Sequence, residues 1–267
     1  MEVVAYLPPI LLSYLRRVLG DRHTVSPVNG WAEVAHVVRR RPADVAVLDP
    51  AADGTARTVE IVELVRRHPS LSVLVYTALS PQSMRAIVEL SGHGVQQVLL
   101  YRFDDEPRRL LDALEQQPGM TLSAALMDRL ATPLSLLPVA LAREVERMYR
   151  QPREYADASD LARAAGMPRR TMYRALEGAG LPSPGMLVRT ARLLRAYAYL
   201  GDAGNSVEDV VVKLGYSSRQ LFIRHVRDAF GAVPSELRRS LTPPQCVERL
   251  VSLLYIAPAG AWDGVGR

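Results

Sequence analysis

The hydrophobic periodicity of this chain changes once, at Gln117-Pro118-Gly119, and that change sets what the chain can fold into. Upstream, short β-rich runs alternate with amphipathic stretches. Residues 3–7, 23–28, 45–48, 72–76 and 95–100 read as strands. Between and after them, residues 10–19, 31–41, 58–67, 81–90 and 106–116 carry apolar side chains at helical spacing. The run Val45-Ala-Val-Leu48, bounded by Asp44 and Asp49, is continuously apolar, as a parallel strand covered on both faces must be. Five strands alternating with five helices predict a doubly wound α/β domain with a parallel sheet over residues 1–117. Downstream the strand signal disappears. Residues 118–135 read as a short helix and linker, and 136–240 as helix and turn throughout. The tail, 241–267, holds one further helix over 244–255 and then a frayed end containing Gly and Pro.

Charge divides at the same place. Residues 1–117 hold 13 Arg against 14 Asp and Glu, a net of −1, whereas 118–240 hold 18 Lys and Arg against 12 acids, a net of +6. A basic half beside a neutral one suits a polyanionic partner, although a solvated basic face with no partner has the same composition. Spacing has to decide between them. Other classes are excluded more directly. One cysteine, Cys246, leaves no internal disulfide framework and no cysteine-cluster zinc site. That cysteine has no histidine nearby and reads as a buried or incidental thiol. His23, His36, His68, His93 and His225 show no metal-ligand spacing, so neither metal nor cofactor is expected. An acidic residue stands where a signal peptide needs basic ones, and no stretch is apolar for long enough to span a bilayer. A soluble, cytoplasmic protein with no membrane partner is therefore expected.

Two segments of the basic half share one pattern. Ser206-Val-Glu-Asp209 opens a helix with a capping pattern, Val207, Val210, Val211 and Leu214 form its buried stripe, and Gly215 ends it. Ser217 as N-cap and Gln220 three residues on then predict a capping box for the next helix. On that helix Leu221, Phe222 and Val226 face inward, while Ser218, Arg219, Ile223, Arg224 and Arg227 share the outer face. Earlier, Asp157-Ala-Ser-Asp160 caps a helix carrying Leu161 and Ala162, and Gly166 ends it. The following helix turns Met172 and Leu176 inward and presents Arg169, Arg170, Tyr173 and Arg174. A long apolar-striped helix, 184–200, joins the two segments. Helix, tight turn and a second helix with a basic outer face is helix-turn-helix geometry, here present twice.

The run Gly215-Tyr-Ser-Ser-Arg-Gln-Leu-Phe-Ile-Arg224, continuing through Gly231 and Val233-Pro-Ser-Glu-Leu-Arg238, resembles the C-terminal signature of AraC/XylS-type transcription regulators. Asp160-Leu-Ala-Arg-Ala-Ala-Gly166 and Arg170-Thr-Met-Tyr-Arg174 resemble that family's first unit, and Arg192, Ala196 and Leu200 match its linker helix. About a hundred residues are covered. There are departures: Pro168 replaces the usual capping serine, which forgoes a side-chain cap of roughly 1 kcal/mol, and Val226 and Leu237 replace aromatics. The resemblance implies an all-α domain whose two recognition helices enter successive major-groove segments of double-stranded DNA, about 34 Å apart. Arg169, Arg170, Arg219 and Arg224 are the candidates for guanine edges or phosphates, with Arg174 and Arg227 on the same faces. Gln220 suits adenine, in competition with its capping role, and Thr171, Tyr173, Ser217 and Ser218 suit backbone positioning.

The first domain resembles the receiver domain of two-component response regulators, a flavodoxin-like fold. Arg41-Pro-Ala-Asp-Val-Ala-Val-Leu-Asp49 matches the strand that ends in the phosphoacceptor, which puts Asp49 at that position, and Thr77 at that of the switch hydroxyl. The chemistry does not follow. Phosphoryl transfer needs a metal ion to neutralise charge on the phosphate oxygens, and receivers hold it with an acidic pair after the first strand. Here that stretch is Tyr6-Leu-Pro-Pro9, with no carboxylate, and Tyr101, beside Arg102, replaces the family's lysine. A degenerate receiver serving dimerisation or partner binding is expected, in a regulator that is not an enzyme, that pairs as a homodimer through this domain and that has RNA polymerase as a further partner. Two rivals stay open: a regulator switched by phosphorylation of Asp49, and an interaction adaptor whose helical half binds protein.

Overall fold

The computed structural model of the protein describes residues 2–20, 23–93, 95, 97–104, 106–115 and 118–255. Gln96, within the last predicted strand, and the frayed end expected after 255 lie outside the described residues.

Five strands form one parallel sheet: β1 (Glu2–Tyr6), β2 (Thr24–Pro27), β3 (Val45–Leu48), β4 (Ser72–Thr77) and β5 (Gln97–Leu100), in the order β2-β1-β3-β4-β5. This is the flavodoxin-like order. Five helices alternate with them: α1 (Pro9–Leu19), α2 (Trp31–Arg40), α3 (Thr58–Arg67), α4 (Pro81–Ser91) and α5 (Pro107–Glu115). Period-two alternation sorts the strand side chains onto two faces. Val3, Ala5, Val45, Val47, Leu74 and Tyr76 join Leu11, Leu15 and Leu19 of α1 and Leu110 and Leu114 of α5 in one core. Val4, Tyr6, Ala46, Leu48 and Val75 meet Val34, Val37 and Val38 of α2, Ile61 and Leu64 of α3, and Leu90 of α4 in the other. Both faces are covered, so β3 is apolar at every position and all four of its residues are buried. Strand order reverses between β1 and β3, which places the crevice of such a sheet beyond Tyr6 and Leu48.

The remaining helices are α6 (Pro118–Arg129), α7 (Ala131–Ser135), α8 (Val139–Arg150), α9 (Ala158–Ala164), α10 (Arg169–Gly178), α11 (Pro184–Gly201), α12 (Val207–Lys213), α13 (Arg219–Phe230), α14 (Pro234–Ser240) and α15 (Pro243–Leu254), with a short 3-10 turn at Pro152–Glu154. The residues group into two compact units: Met1–Thr121 with Gly201–Lys213, and Leu122–Leu200 with Leu214–Arg267.

That grouping places α12 with the sheet. Asp202, almost fully buried, accepts hydrogen bonds from the Ser70 amide (2.9 Å), the Ser70 hydroxyl (2.5 Å) and the Asn205 side-chain amide (3.0 Å). The Lys213 ammonium, also buried, donates to Asn205 Oδ1 at 2.8 Å. Gly204 donates its backbone N–H to Arg67 O at 2.8 Å, and Asp209 lies 3.5 Å from an Arg39 guanidinium nitrogen. Such buried polar groups persist only when partnered, because an unsatisfied one costs about 1–3 kcal/mol.

In the helical unit α11 is the central element. Leu187, Val188, Ala191, Leu193, Leu194 and Ala196 are all buried, and Tyr149 of α8 meets the buried Thr190 hydroxyl at 2.7 Å. Residues 243–254 of the tail form a helix packed within this unit. Cys246, Val247, Leu250 and Leu254 of α15 are buried, and Arg249 donates to Phe230 O at 3.2 Å. Burial pushes the Cys246 thiol up to about 12, so it stays protonated at neutral pH.

Candidate nucleic-acid interface

Each basic helix is set by its own local chemistry. Asp157 is the N-cap of α9 and accepts from the amides of Ser159 (2.6 Å) and Asp160 (3.3 Å), while Asp160 accepts from the Ala156 amide at 2.8 Å. The chain leaves α9 through Gly166 at φ +64°, a left-handed turn that glycine makes without a Cβ penalty. Pro168 then stands at the N-cap of α10 without a side-chain cap, and Met172 and Leu176 anchor the helix in the core. Arg169, Arg170, Thr171, Tyr173 and Arg174 are exposed.

The second segment repeats this plan. Ser206 Oγ accepts from the Asp209 amide (3.1 Å) while the Asp209 carboxylate accepts from the Ser206 amide (2.9 Å), the reciprocal cap expected for α12. Gly215 follows at φ +67°. For α13 one detail differs from expectation. Its N-cap is Ser218, whose hydroxyl accepts from the Leu221 amide at 3.2 Å, and not Ser217. Ser218 has the extended conformation of an N-cap (φ −153°, ψ 151°) and Arg219 is already helical, so the Ser217–Gln220 capping box does not form. Gln220 is thereby released from a capping duty, and Ser217 and Gln220 are exposed. Phe222 and Val226 are fully buried, and Arg219, Arg224 and Arg227 point outward. Arg170, Arg174, Arg224 and Arg227 make no ion pair among the described residues.

At the sheet, Asp49 follows β3 and is 5% exposed. One of its oxygens accepts from the Thr77 hydroxyl and from the Ala51 amide, both at 2.9 Å. Burial lifts its pKa above the ordinary value, against these two bonds. Asp49 and Thr77 thus lie within hydrogen-bonding distance of each other. Tyr101 packs edge-to-face on Tyr76 and Tyr14, and the Arg102 guanidinium lies 5.2 Å from the Tyr101 ring centre. No group of three or more His, Cys, Asp or Glu side chains among the described residues could hold a metal ion. No described helix is long and apolar enough to cross a membrane.

A family model for a helix-turn-helix domain matches residues 161–240, which span α10 to α14 and part of α9. Residues 161–240 are an AraC-type helix-turn-helix domain. The match supports a DNA-binding transcription regulator, and the strand order β2-β1-β3-β4-β5 gives its N-terminal half a flavodoxin-like fold. No curated protein matches the chain. Among solved structures it is similar to full-length FixJ from B. japonicum, at 15% identity over 81% of this chain and 98% of that one, with a TM-score of 0.39. It is also similar to RcsB from Salmonella enterica serovar Typhimurium bound to promoter rprA, at 18% identity over 67% and 90%, with a TM-score of 0.36. A third likeness is to the xylose-binding transcription activator XylR, at 14% identity over 89% and 69%, with a TM-score of 0.34. The sheet order, not these likenesses, carries the fold assignment.

Sequence reasoning did not find the buried cluster of Asp202, Asn205 and Lys213, nor a cavity in the helical unit lined by Arg189, Arg192 and His225. Asp202, Asn205 and Lys213 are near one another in sequence, as are Arg189 and Arg192, but no local signal joins the first group to Ser70 or the second to His225.

Proposed function

We propose that the protein is a sequence-specific regulator that reads two successive major-groove segments with α10 and α13 as its recognition helices. Its DNA-binding domain is 136–240, joined through 118–135 to the receiver-like domain 1–117 and followed by the tail 241–267. One observation carries this reading: two helices in one compact unit, each anchored by buried apolar residues, present Arg169, Arg170 and Arg174 and Arg219, Arg224 and Arg227 outward. A helix held from behind with guanidiniums in front suits bidentate pairing with guanine and contact with phosphates. Thr171, Tyr173, Ser217 and Gln220 are exposed on the same elements for positioning and adenine readout, with Ser218 capping α13.

We assign the receiver-like domain the role of a dimerisation or partner module without phosphoryl transfer. Asp49 is enclosed and hydrogen-bonded within the protein, and Tyr6-Leu-Pro-Pro9 supplies no carboxylate to hold a metal beside it. The regulator is accordingly a non-enzymatic, cytoplasmic homodimer that engages RNA polymerase from its operator.

Selection of bound sites from random duplexes, followed by titration at several salt concentrations, tests the main claim. A preferred site and a steep fall of affinity with salt are expected. Equal affinity for all sequences would leave an adaptor as the better description. Incubation with a phosphoryl donor and Mg²⁺ tests the second claim, and an acid-labile adduct on Asp49 would overturn it.

A further inference from the structure

A cavity of about 360 Å³ opens in the helical unit, and its walls come from four segments. Tyr173 comes from α10, His225 from α13, Arg189 and Arg192 from α11, and Asp157 from the turn before α9. The two helices assigned to base reading thus both contribute to one recess, floored by the helix between them. Its volume lies in the ~300–1,000 Å³ range of small-ligand sites.

The recess is cationic and its charge is not spent internally. Arg189 and Arg192 form no ion pair among the described residues. An Arg192 terminal nitrogen donates to two neutral acceptors, Tyr155 O (3.0 Å) and Ala156 O (3.3 Å), and its guanidinium lies 5.8 Å from the Tyr216 ring centre. Its Nε is buried without a hydrogen-bond partner. A guanidinium held by carbonyls is fixed in place while keeping its full positive potential for an outside anion. The one carboxylate in the wall, Asp157, is committed to the α9 amides. His225 packs edge-to-face on Tyr216, with Nδ1 3.4 Å from the tyrosine oxygen.

We infer that this recess seats a backbone phosphate of the bound duplex, the one lying between the two stretches read by α10 and α13, with Arg189, Arg192 and His225 as its ligands. The inference rests on the two-helix reading above. A phosphodiester is the anion that both recognition helices would deliver to a recess bounded by both.

The charged surroundings of His225 add a proton linkage. Burial lowers its pKa, and Arg189, Arg224 and Arg192 push it the same way against the opposing Asp228; Tyr216 faces the ring as a neutral partner. These surroundings hold the free imidazole towards its neutral form. A phosphate entering the recess favours the imidazolium, so binding takes up a proton and strengthens as pH falls from 8 towards 6.

The experiment starts from the duplex selected by the full-length wild type. If no duplex is selected, the two-helix reading fails at that step, before any phosphate is probed, and this inference falls with it. With a selected duplex, each phosphate in turn is replaced by a neutral methylphosphonate, and affinity is measured for wild type and Arg189→Gln. Among the described residues the Arg189 side chain hydrogen-bonds the Met186 sulfur at 3.0 Å, so the variant is expected to keep the fold, which thermal unfolding checks. One phosphate between the two read stretches, or its symmetry mate, is expected to weaken the wild type about tenfold and the variant hardly at all. The variant's logarithmic salt slope is expected to shrink by about 0.9. His225→Asn, which keeps a polar side chain beside Tyr216, is expected to flatten the dependence of affinity on pH, and it serves alone should Arg189→Gln unfold. Identical methylphosphonate profiles in wild type and Arg189→Gln, or an unchanged pH dependence in His225→Asn, would overturn the assignment. So would inorganic phosphate shifting the His225 resonances while duplex affinity ignores both substitutions, which would make the recess a free-anion site.

Discussion

Gly204 has no room for a side chain where the 201–213 segment meets His68, and its replacement by alanine has a calculable outcome. A Cβ built there would stand 2.3 Å from Nε2 and 2.4 Å from Cε1 of His68, far inside contact distance. Neither side can move freely. The Gly204 amide is bonded to Arg67 O at 2.8 Å, and the His68 ring is 4% exposed. Forcing one extra carbon into a filled interior costs about 1–3 kcal/mol. That corresponds to roughly 5- to 150-fold in the equilibrium for local opening. Amide hydrogen exchange reads that equilibrium residue by residue, and the amides of 204–213 are expected to exchange faster by that factor in Gly204→Ala. If the clash is the cause, His68→Ala makes room for the methyl, and adding Gly204→Ala to that variant costs little. A penalty of the same size in both backgrounds, or none in either, would refute the steric argument.

Three further outcomes follow from the geometry. Asp49→Asn is expected to raise stability at pH 7 by up to about 1 kcal/mol and to change it little near pH 3, read by urea unfolding at both values. The sign comes from burial: with its folded pKa raised, Asp49 contributes stability while protonated and loses it as pH rises through that pKa, whereas the amide oxygen can still accept from Thr77 and Ala51. Ser218→Ala removes the α13 cap and is expected to cost about 0.5–2 kcal/mol, whereas Ser217→Ala stays within about 0.5 kcal/mol, and a thermal melt of each variant would expose the reverse order. Arg219→Ala is expected to relax preference at one base position at a cost of about 1–3 kcal/mol if its pairing is bidentate, and an unchanged binding-site profile would remove it from the reading set.

How much was legible beforehand depends on the range of the interaction. All five strands and the helices between them could be located, because period-two and period-3.6 patterns are written in neighbouring residues; β3 and α3 match to the residue. Boundaries slipped where local signals compete. The strand expected over 95–100 begins at Gln97, with Val95 before it and already in the core. Ser217 was expected to cap α13, but backbone conformation, which sequence does not display, puts the N-cap at Ser218. Among the site residues, the outward arginines were visible because a buried stripe of Met172 and Leu176, or of Phe222 and Val226, dictates the opposite face.

By itself, then, the amino-acid order determined the class of each half, the two repeated turn-linked helix pairs and the faces their arginines occupy, since each of these follows from contacts within a few residues. Only the tertiary structure decided which distant groups share an environment: that His68 lies against Gly204, that Asp202 gathers donors from Ser70 and Asn205, and that Arg189, Arg192 and His225 surround one recess. Charge and shape at those places are sums over segments tens of residues apart. No spacing along the chain encodes them, because the directions in which side chains converge are set by how whole helices pack.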